Sequence, residues 1–138
     1  MYWHKTPYWL KALYPGLSWH KSRNRKTLYL TFDDGPIPIV TEYVLEQLHQ
    51  HDAKATFFCV GDNIAKHPHV FQKVIEQGHS IGNHTFNHIK VWESEDETYF
   101  QNIDKCQNII VKSYERNQRR LLRPPYGKIT RKQARHLK

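Results

Sequence analysis

The sequence predicts an α/β protein built on a parallel sheet. Short β-prone runs alternate with helical patterns along the chain, which is the order that strand–helix–strand units require. Groups of polar residues follow directly after three of the predicted strands. In parallel sheets, whether open or closed into a barrel, functional side chains collect at the carboxyl ends of the strands. The length of 138 residues suits one domain of this kind.

The first half of the chain carries two predicted strands and a helix. Residues 27–32 are β-prone and end at an Asp-Asp-Gly-Pro turn, so we predict a buried strand there. Apolar residues then recur at helical spacing over residues 40–48. Residues 55–60 form the second predicted strand, and the Gly-Asp-Asn sequence at residues 61–63 predicts the turn that closes it.

The next segment predicts a helix, a strand and a second helix. Proline is favoured in the first turn of a helix, so the first helix is expected to begin at Pro68 and to stop at Gly78. Residues 79–82 form a short third strand. Ser94 and Glu97 have the spacing of a capping box, which predicts the start of the following helix.

The two ends of the chain differ in character from its middle. Residues 120–123 predict a last short strand, which two prolines end. Residues 1–26 predict an aromatic, basic extension packed on the outside of a domain that occupies residues 27–138. The start lacks the apolar run of a signal peptide, so we expect a cytoplasmic protein. The chain contains no apolar run long enough for a transmembrane helix.

The net charge of +8 comes entirely from the C-terminal part of the chain. Residues 114–138 hold nine of the 21 Lys and Arg residues and one of the 13 acidic residues. A basic tail can attract nucleic acid or an anionic surface. No nucleic-acid-binding module accompanies the charge, so we expect a solvated face and no nucleic-acid partner. The two cysteines do not form a disulfide framework.

Three residues after the first and third strands form a candidate metal site. Asp34, His84 and His88 offer one carboxylate and two imidazoles, a set that suits zinc or another divalent metal, iron(II) included. The two histidines lie four residues apart, so both rings face one point if the segment turns helically. Asp33 lies beside the carboxylate ligand and is left to accept a proton from an activated water.

The last predicted strand leads into two further candidate residues. Arg123 near Asp33 would hold that carboxylate ionised and fix its direction through a bidentate hydrogen bond. Tyr126 follows two prolines, and its backbone N–H in a stiff loop is a candidate oxyanion donor. A simple turn explains the same local sequence. Metal-assisted hydrolysis uses all of these groups, whereas an iron oxygenase needs neither Asp33 nor the oxyanion loop.

Three fragments together resemble the polysaccharide deacetylase family, the NodB-homology carbohydrate esterases. Thr31–Pro36 matches the first motif of that family, His84–His88 the second and Arg123–Gly127 the third, in the same order. The resemblance implies a distorted (β/α) barrel and the metal-dependent removal of N-acetyl groups from acetylated glycans. It leaves the glycan open, with chitin oligomers and peptidoglycan among the choices. A glycan substrate also makes the cell envelope an alternative to the cytoplasm.

The resemblance also implies a role for each matched residue. Asp33 would act as the general base, with Arg123 orienting it and the Tyr126 N–H forming part of the oxyanion hole. The metal, zinc in the first place and cobalt or another transition metal as the alternative, would be held by the three residues Asp34, His84 and His88.

Two later motifs of the family do not occur in this sequence. They are an Asp and Trp motif and a late Leu-x-His whose histidine serves as general acid; His136 has the wrong order and position for that role. The barrel is therefore expected to be incomplete at the C-terminus. An open barrel edge predicts self-association. The alternative function is a catalytically incomplete carbohydrate-binding or scaffold fragment of the same fold.

Overall fold

The structure, a computed structural model, describes residues 6–22, 24–114 and 120–137. The chain divides into two compact units. The smaller comprises Met1–Leu28 and Lys128–Lys138, and the larger comprises Tyr29–Gly127. The domain boundary predicted after residue 26 stays a prediction. All of the predicted site residues belong to the larger unit.

The larger unit is a parallel α/β structure, as predicted. The helices of the chain are α1 (Tyr8–Leu13), α2 (Val40–Gln50), α3 (Gly61–Lys66), α4 (Pro68–Glu76), α5 (Asp96–Ser113) and α6 (Arg131–His136). The strands are β1 (Leu30–Asp33), β2 (Ala55–Cys59) and β3 (Ser80–Asn83). They form one sheet in the order β1-β2-β3, with both neighbouring pairs parallel.

The smaller unit contains the short helices α1 and α6. Helix α6 begins with a capping box in which the Thr130 hydroxyl accepts from the Gln133 N–H at 3.2 Å. The Gln133 side chain accepts in return from the Thr130 N–H at 2.9 Å. This exchange satisfies two backbone donors at the helix start. A cavity of about 320 Å³ in this unit is lined by residues of α1, the turn after it and α6.

The first strand differs from its prediction. It begins at Leu30, and the exposed fractions of Tyr29 and Leu30 are 59% and 41%. Strands β2 and β3 are mostly buried, whereas β1 is exposed or half-buried along its whole length. The prediction of a strand at residues 27–32 was therefore right in type over Leu30–Phe32 but wrong about its burial. The apolar composition indicates a covered strand, but β1 has a strand neighbour on one side alone among the described residues.

Helix α3 replaces the turn that was predicted after β2. Gly61 is the first residue of this helix, and its role is close packing. A Cβ on Gly61 would come within 2.7 Å of the Phe86 ring and 3.1 Å of the Cys106 Cα. Cys106 lies on α5, so glycine allows α3 and α5 to approach each other.

The predicted capping box at Ser94 and Glu97 is also wrong, although the helix it announced is present. Helix α5 begins at Asp96 without a side-chain cap. The Ser94 hydroxyl donates instead to the Lys90 carbonyl at 2.9 Å and closes the 3₁₀ turn Val91–Glu93. The last predicted strand is reduced to an isolated bridge between Leu122 and Asn83.

The core lies between the sheet and helices α2 to α5 and fixes the strand ends. The main cluster contains Phe57, Phe71, Val74 and Cys106, each at most 3% exposed. Cys59 and Cys106 are free, buried thiols, and burial raises the pKa of Cys106 to about 12. They pack as small apolar residues. No helix in the described ranges is long and apolar enough to cross a membrane.

Candidate functional site

Three chain segments meet at the carboxyl end of the sheet. Strand β1 ends at Asp33, and β3 ends at Asn83, directly before His84. The Asn83 N–H donates to the Leu121 carbonyl at 2.8 Å, and the Arg123 N–H donates to the Asn83 carbonyl at 3.0 Å. These two bonds hold the third motif alongside the second. The placement expected for a parallel sheet is therefore present.

The structure brings Asp34, His84 and His88 together. The Asp34 Oδ1 atom lies 3.4 Å from the His84 Nε2 atom and 3.2 Å from the His88 Nε2 atom. All three donor atoms lie within 4.8 Å of one another. Donor atoms that share a tetrahedral zinc at bond lengths of about 2.0–2.1 Å lie about 3.3 Å apart. The donor set and its spacing therefore fit a divalent metal.

A hydrogen bond to the backbone sets the orientation of the His84 ring. Its Nδ1 atom lies 2.7 Å from the Arg123 carbonyl oxygen. A carbonyl can only accept, so Nδ1 carries the proton and Nε2 keeps its lone pair toward Asp34. Burial lowers the pKa of His84, which favours the neutral ring. A ligand histidine that donates its other ring N–H is the usual arrangement in metal sites.

The two histidines converge through a loop, without the helical turn that was the condition for their convergence in the sequence analysis. The backbone takes positive φ values at Thr85 (65°) and His88 (55°). The Thr85 N–H donates to the Asn83 side chain at 2.8 Å, and the Phe86 N–H donates to the Asn102 side chain at 2.7 Å. Side-chain amides therefore hold the loop in a conformation that a regular helix would not give.

Unusual backbone conformations concentrate at this site. Six non-glycine residues of the described chain have positive φ, and four of them belong to the three motifs: Asp34, Thr85, His88 and Tyr126. Positive φ is strained for most residues, and for a β-branched residue such as Thr85 it is an outlier. Such strain persists where the surrounding structure enforces it, and it clusters at active sites.

Arg123 contacts Asp33 as predicted, but with a different geometry. A single nitrogen, Nη1, donates to the Asp33 Oδ1 atom at 2.7 Å and to the Thr31 hydroxyl at 2.9 Å. The predicted two-nitrogen fork to Asp33 was therefore wrong, because Thr31 shares the donor. The guanidinium carbon also lies 4.0 Å from the centroid of the Phe58 ring. These contacts fix Asp33 beside the three donors and outside their cluster.

Tyr126 lies next to His88, in the 3₁₀ turn Pro125–Gly127. Its ring contacts the His88 ring edge to face, with centroids 4.8 Å apart. Pro125 is buried, and the Gly127 N–H donates to the Pro124 carbonyl at 3.1 Å. The backbone N–H proposed as an oxyanion donor therefore belongs to an anchored turn next to the donor cluster.

Comparison with known proteins decides the family. The protein-family model described as polysaccharide deacetylase matches residues 20–138. The chain belongs to the polysaccharide deacetylase family. A peptidoglycan-N-acetylglucosamine deacetylase of Bacillus cereus is 39% identical over 118 residues, which are 82% of this chain and 52% of the relative. A chitooligosaccharide deacetylase of Azorhizobium caulinodans is 38% identical over 106 residues, 77% of this chain and 50% of the relative.

Solved structures agree with this assignment. A crystal structure of a peptidoglycan N-acetylglucosamine deacetylase superposes with a TM-score of 0.78 at 35% identity. It covers 82% of this chain and 52% of the solved one. The chain thus spans about half the length of these relatives. Its α/β structure is part of a polysaccharide deacetylase fold.

Several residues that support the candidate site were missed from the sequence. Thr31 and Phe58 contact Arg123, while Asn83 and Asn102 hold the histidine loop. Thr31 could have been found, because it is part of the first motif. Asn102 lies on α5, 14 residues after His88, and nothing in its local sequence indicates a contact with the loop.

Proposed function

We propose that the chain carries the metal-binding and base-bearing part of a metal-dependent polysaccharide N-deacetylase. The observation that carries the proposal is the cluster of Asp34, His84 and His88 with an unligated, Arg-bound Asp33 beside it. Amide hydrolysis needs an activated water and a base close to it. The substrate class follows from the relatives, whose names specify peptidoglycan and chitooligosaccharides. We therefore propose an N-acetylated glycan as the substrate.

The proposed metal ligands are Asp34 through a carboxylate oxygen and both histidines through Nε2. Zinc suits this mixture of nitrogen and oxygen donors, with cobalt as the alternative. When bound, a divalent metal acts as a Lewis acid that acidifies water and polarises the amide carbonyl. The contact of His84 Nδ1 with the Arg123 carbonyl orients one ligand in advance.

Asp33, Arg123 and Tyr126 perform the remaining proposed steps. Asp33 accepts the proton of the attacking water, while the contact with Arg123 Nη1 keeps the carboxylate aimed at it. The Tyr126 N–H donates to the oxygen that becomes negative in the tetrahedral intermediate. The leaving amine then takes up a proton from an acid outside these three motifs.

Acetate release from N-acetylglucosamine oligomers tests the proposal. The wild type should release acetate, and a chelator or the substitution Asp33→Asn should abolish the release. Asp104→Asn is the matched control, because Asp104 is an exposed carboxylate on α5 that belongs to none of the three motifs. Release that survives both the chelator and Asp33→Asn would refute the proposed chemistry.

A second candidate function is glycan binding without catalysis. The observation that favours it is a pair of exposed aromatic rings, Trp92 and Tyr126, beside the donor cluster. In that case the chain binds the oligomers and the metal but releases no acetate. Calorimetric titration with the oligomers, run beside the acetate assay, separates the two functions.

A further inference from the structure

We propose that Trp92 and Tyr126 form an aromatic platform that binds a sugar ring of the glycan next to the metal donors. The proposal rests on the proposed function and adds a binding subsite to it. The His88, Tyr126 and Trp92 rings form a continuous series: the first two centroids are 4.8 Å apart and the last two 5.2 Å apart. Both contacts are edge to face, a favourable geometry for aromatic pairs.

Both platform rings are about half exposed. Trp92 is 48% exposed and Tyr126 is 53% exposed. A single exposed aromatic residue is common on protein surfaces and carries no information. Here two such rings contact each other, and one of them contacts a proposed metal ligand. An apolar surface at a reaction site is a marker of ligand binding.

Buried packing and backbone hydrogen bonds hold the turn that carries Trp92. Val91, next to Trp92, is buried in a cluster with Tyr99 and Ile103. The turn that presents Trp92 is closed by two hydrogen bonds to the Lys90 carbonyl, one from the Glu93 N–H at 3.1 Å and one from the Ser94 hydroxyl at 2.9 Å. The platform is therefore preorganised, which reduces the entropy lost on binding.

A sugar ring is the ligand that suits this surface best. A pyranose has an apolar face of C–H groups and a rim of hydroxyl groups. Trp and Tyr likewise combine a large apolar ring with one polar group at the edge. Trp92 lies two ring contacts beyond His88, so we place there a sugar that neighbours the one whose acetamide reaches the metal donors. Such a subsite favours oligomers over a single acetylated sugar.

The test compares Trp92→Ala with Trp92→Phe, which keeps an aromatic face. The matched control is Trp9→Ala, because Trp9 is 60% exposed and belongs to the other compact unit. Affinity is measured by calorimetric titration with the N-acetylglucosamine pentamer, and zinc binding is titrated separately. We expect Trp92→Ala to weaken pentamer binding by about five- to tenfold. Trp92→Phe should retain most of the affinity, and zinc affinity should not change.

The outcomes separate this proposal from the proposed function. If Trp92→Ala binds the pentamer as well as the wild type does, or is affected no more than Trp9→Ala, the platform is refuted while acetate release can persist. If Trp92→Ala also weakens zinc binding, the residue is structural and the platform is refuted. If pentamer binding depends on Trp92 but no variant releases acetate, the platform stands and the proposed catalysis falls.

Discussion

The guanidinium carbon of Arg123 lies 4.0 Å from the centroid of the Phe58 ring. Phe58 pairs with Gly82 in the parallel register of β2 and β3. A Cβ on Gly82 would come within 2.4 Å of the Phe58 ring. The absence of a side chain at Gly82 thus leaves room for the ring that supports Arg123, and Arg123 in turn orients Asp33.

We predict that Gly82→Ala displaces the Phe58 ring and disturbs the contact between Arg123 and Asp33. Overpacking of this kind should lower the free energy of unfolding by about 1–3 kcal/mol. Gly78→Ala is the control, because Gly78 has a φ of 76° and nothing within 4 Å of an added Cβ. It should destabilise by about 1 kcal/mol through the backbone alone. Urea denaturation measures the stability of both variants, and acetate release measures their activity. We expect only Gly82→Ala to impair acetate release. Equal activity of the two variants would contradict the role of the Phe58 ring in supporting Arg123.

A second prediction concerns the hydroxyl that shares the Arg123 donor. Thr31→Val removes the acceptor that lies 2.9 Å from Nη1 and keeps the shape of the side chain. Arg123 then loses one of its two side-chain hydrogen bonds, so kcat should fall about five- to tenfold while zinc affinity stays constant. Thr56→Val is the matched control, because Thr56 pairs with Thr31 on the neighbouring strand. An equal effect of both substitutions would contradict the positioning role.

The division of work between the adjacent carboxylates gives a third prediction. Asp34→Ala removes one of three donor atoms and should weaken zinc binding by about 100-fold or more. Asp33→Ala should change zinc affinity by less than about threefold but abolish acetate release, since its carboxylate is bound to Arg123. Competition titration against a zinc indicator measures both affinities. If both substitutions strip the metal equally, the assigned roles are wrong.

A fourth prediction is that His79 makes the free energy of unfolding depend on pH. His79 is 1% exposed, and its Nδ1 atom accepts the Ala55 N–H at 3.3 Å, which requires a neutral ring. Burial lowers the pKa of His79 below its ordinary value of about 6.5. As the pH falls, the unfolded chain therefore takes up the proton first. The contribution of neutral His79 to the free energy of unfolding is complete above about pH 6.5, and it is lost as the pH falls toward the lower pKa of the folded state.

Urea denaturation between pH 7.5 and 5.5 checks this prediction by comparing the wild type with His79→Gln. The other histidines are common to both proteins. The difference between the two slopes of the free energy of unfolding against pH is therefore due to His79. The free energy of unfolding should fall more steeply with acidification in the wild type. Parallel curves would contradict the assignment.

The three parallel strands, helices α2, α4 and α5, and the convergence of Asp34, His84 and His88 could be predicted from the sequence, because each depends on a local pattern or motif. The conformation of the histidine loop could not, because positive φ at Thr85 and His88 depends on Asn83 and Asn102 side chains that only the fold brings near. Gly61 was misjudged for the same reason, since its neighbours belong to distant segments. The cytoplasmic location stays a prediction.

The exposed edge of the sheet supports the prediction of self-association. Tyr29 and Leu30 are exposed, and β1 pairs with β2 alone among the described strands. An exposed edge strand can pair with the same strand of a second copy. We expect a dimer that dissociates on dilution in sedimentation experiments. Leu30→Lys should yield a monomer because a charge blocks the edge, whereas Val111→Lys, at a 49% exposed position on α5, should leave the dimer intact. A wild type that stays monomeric at every concentration would exclude association through β1.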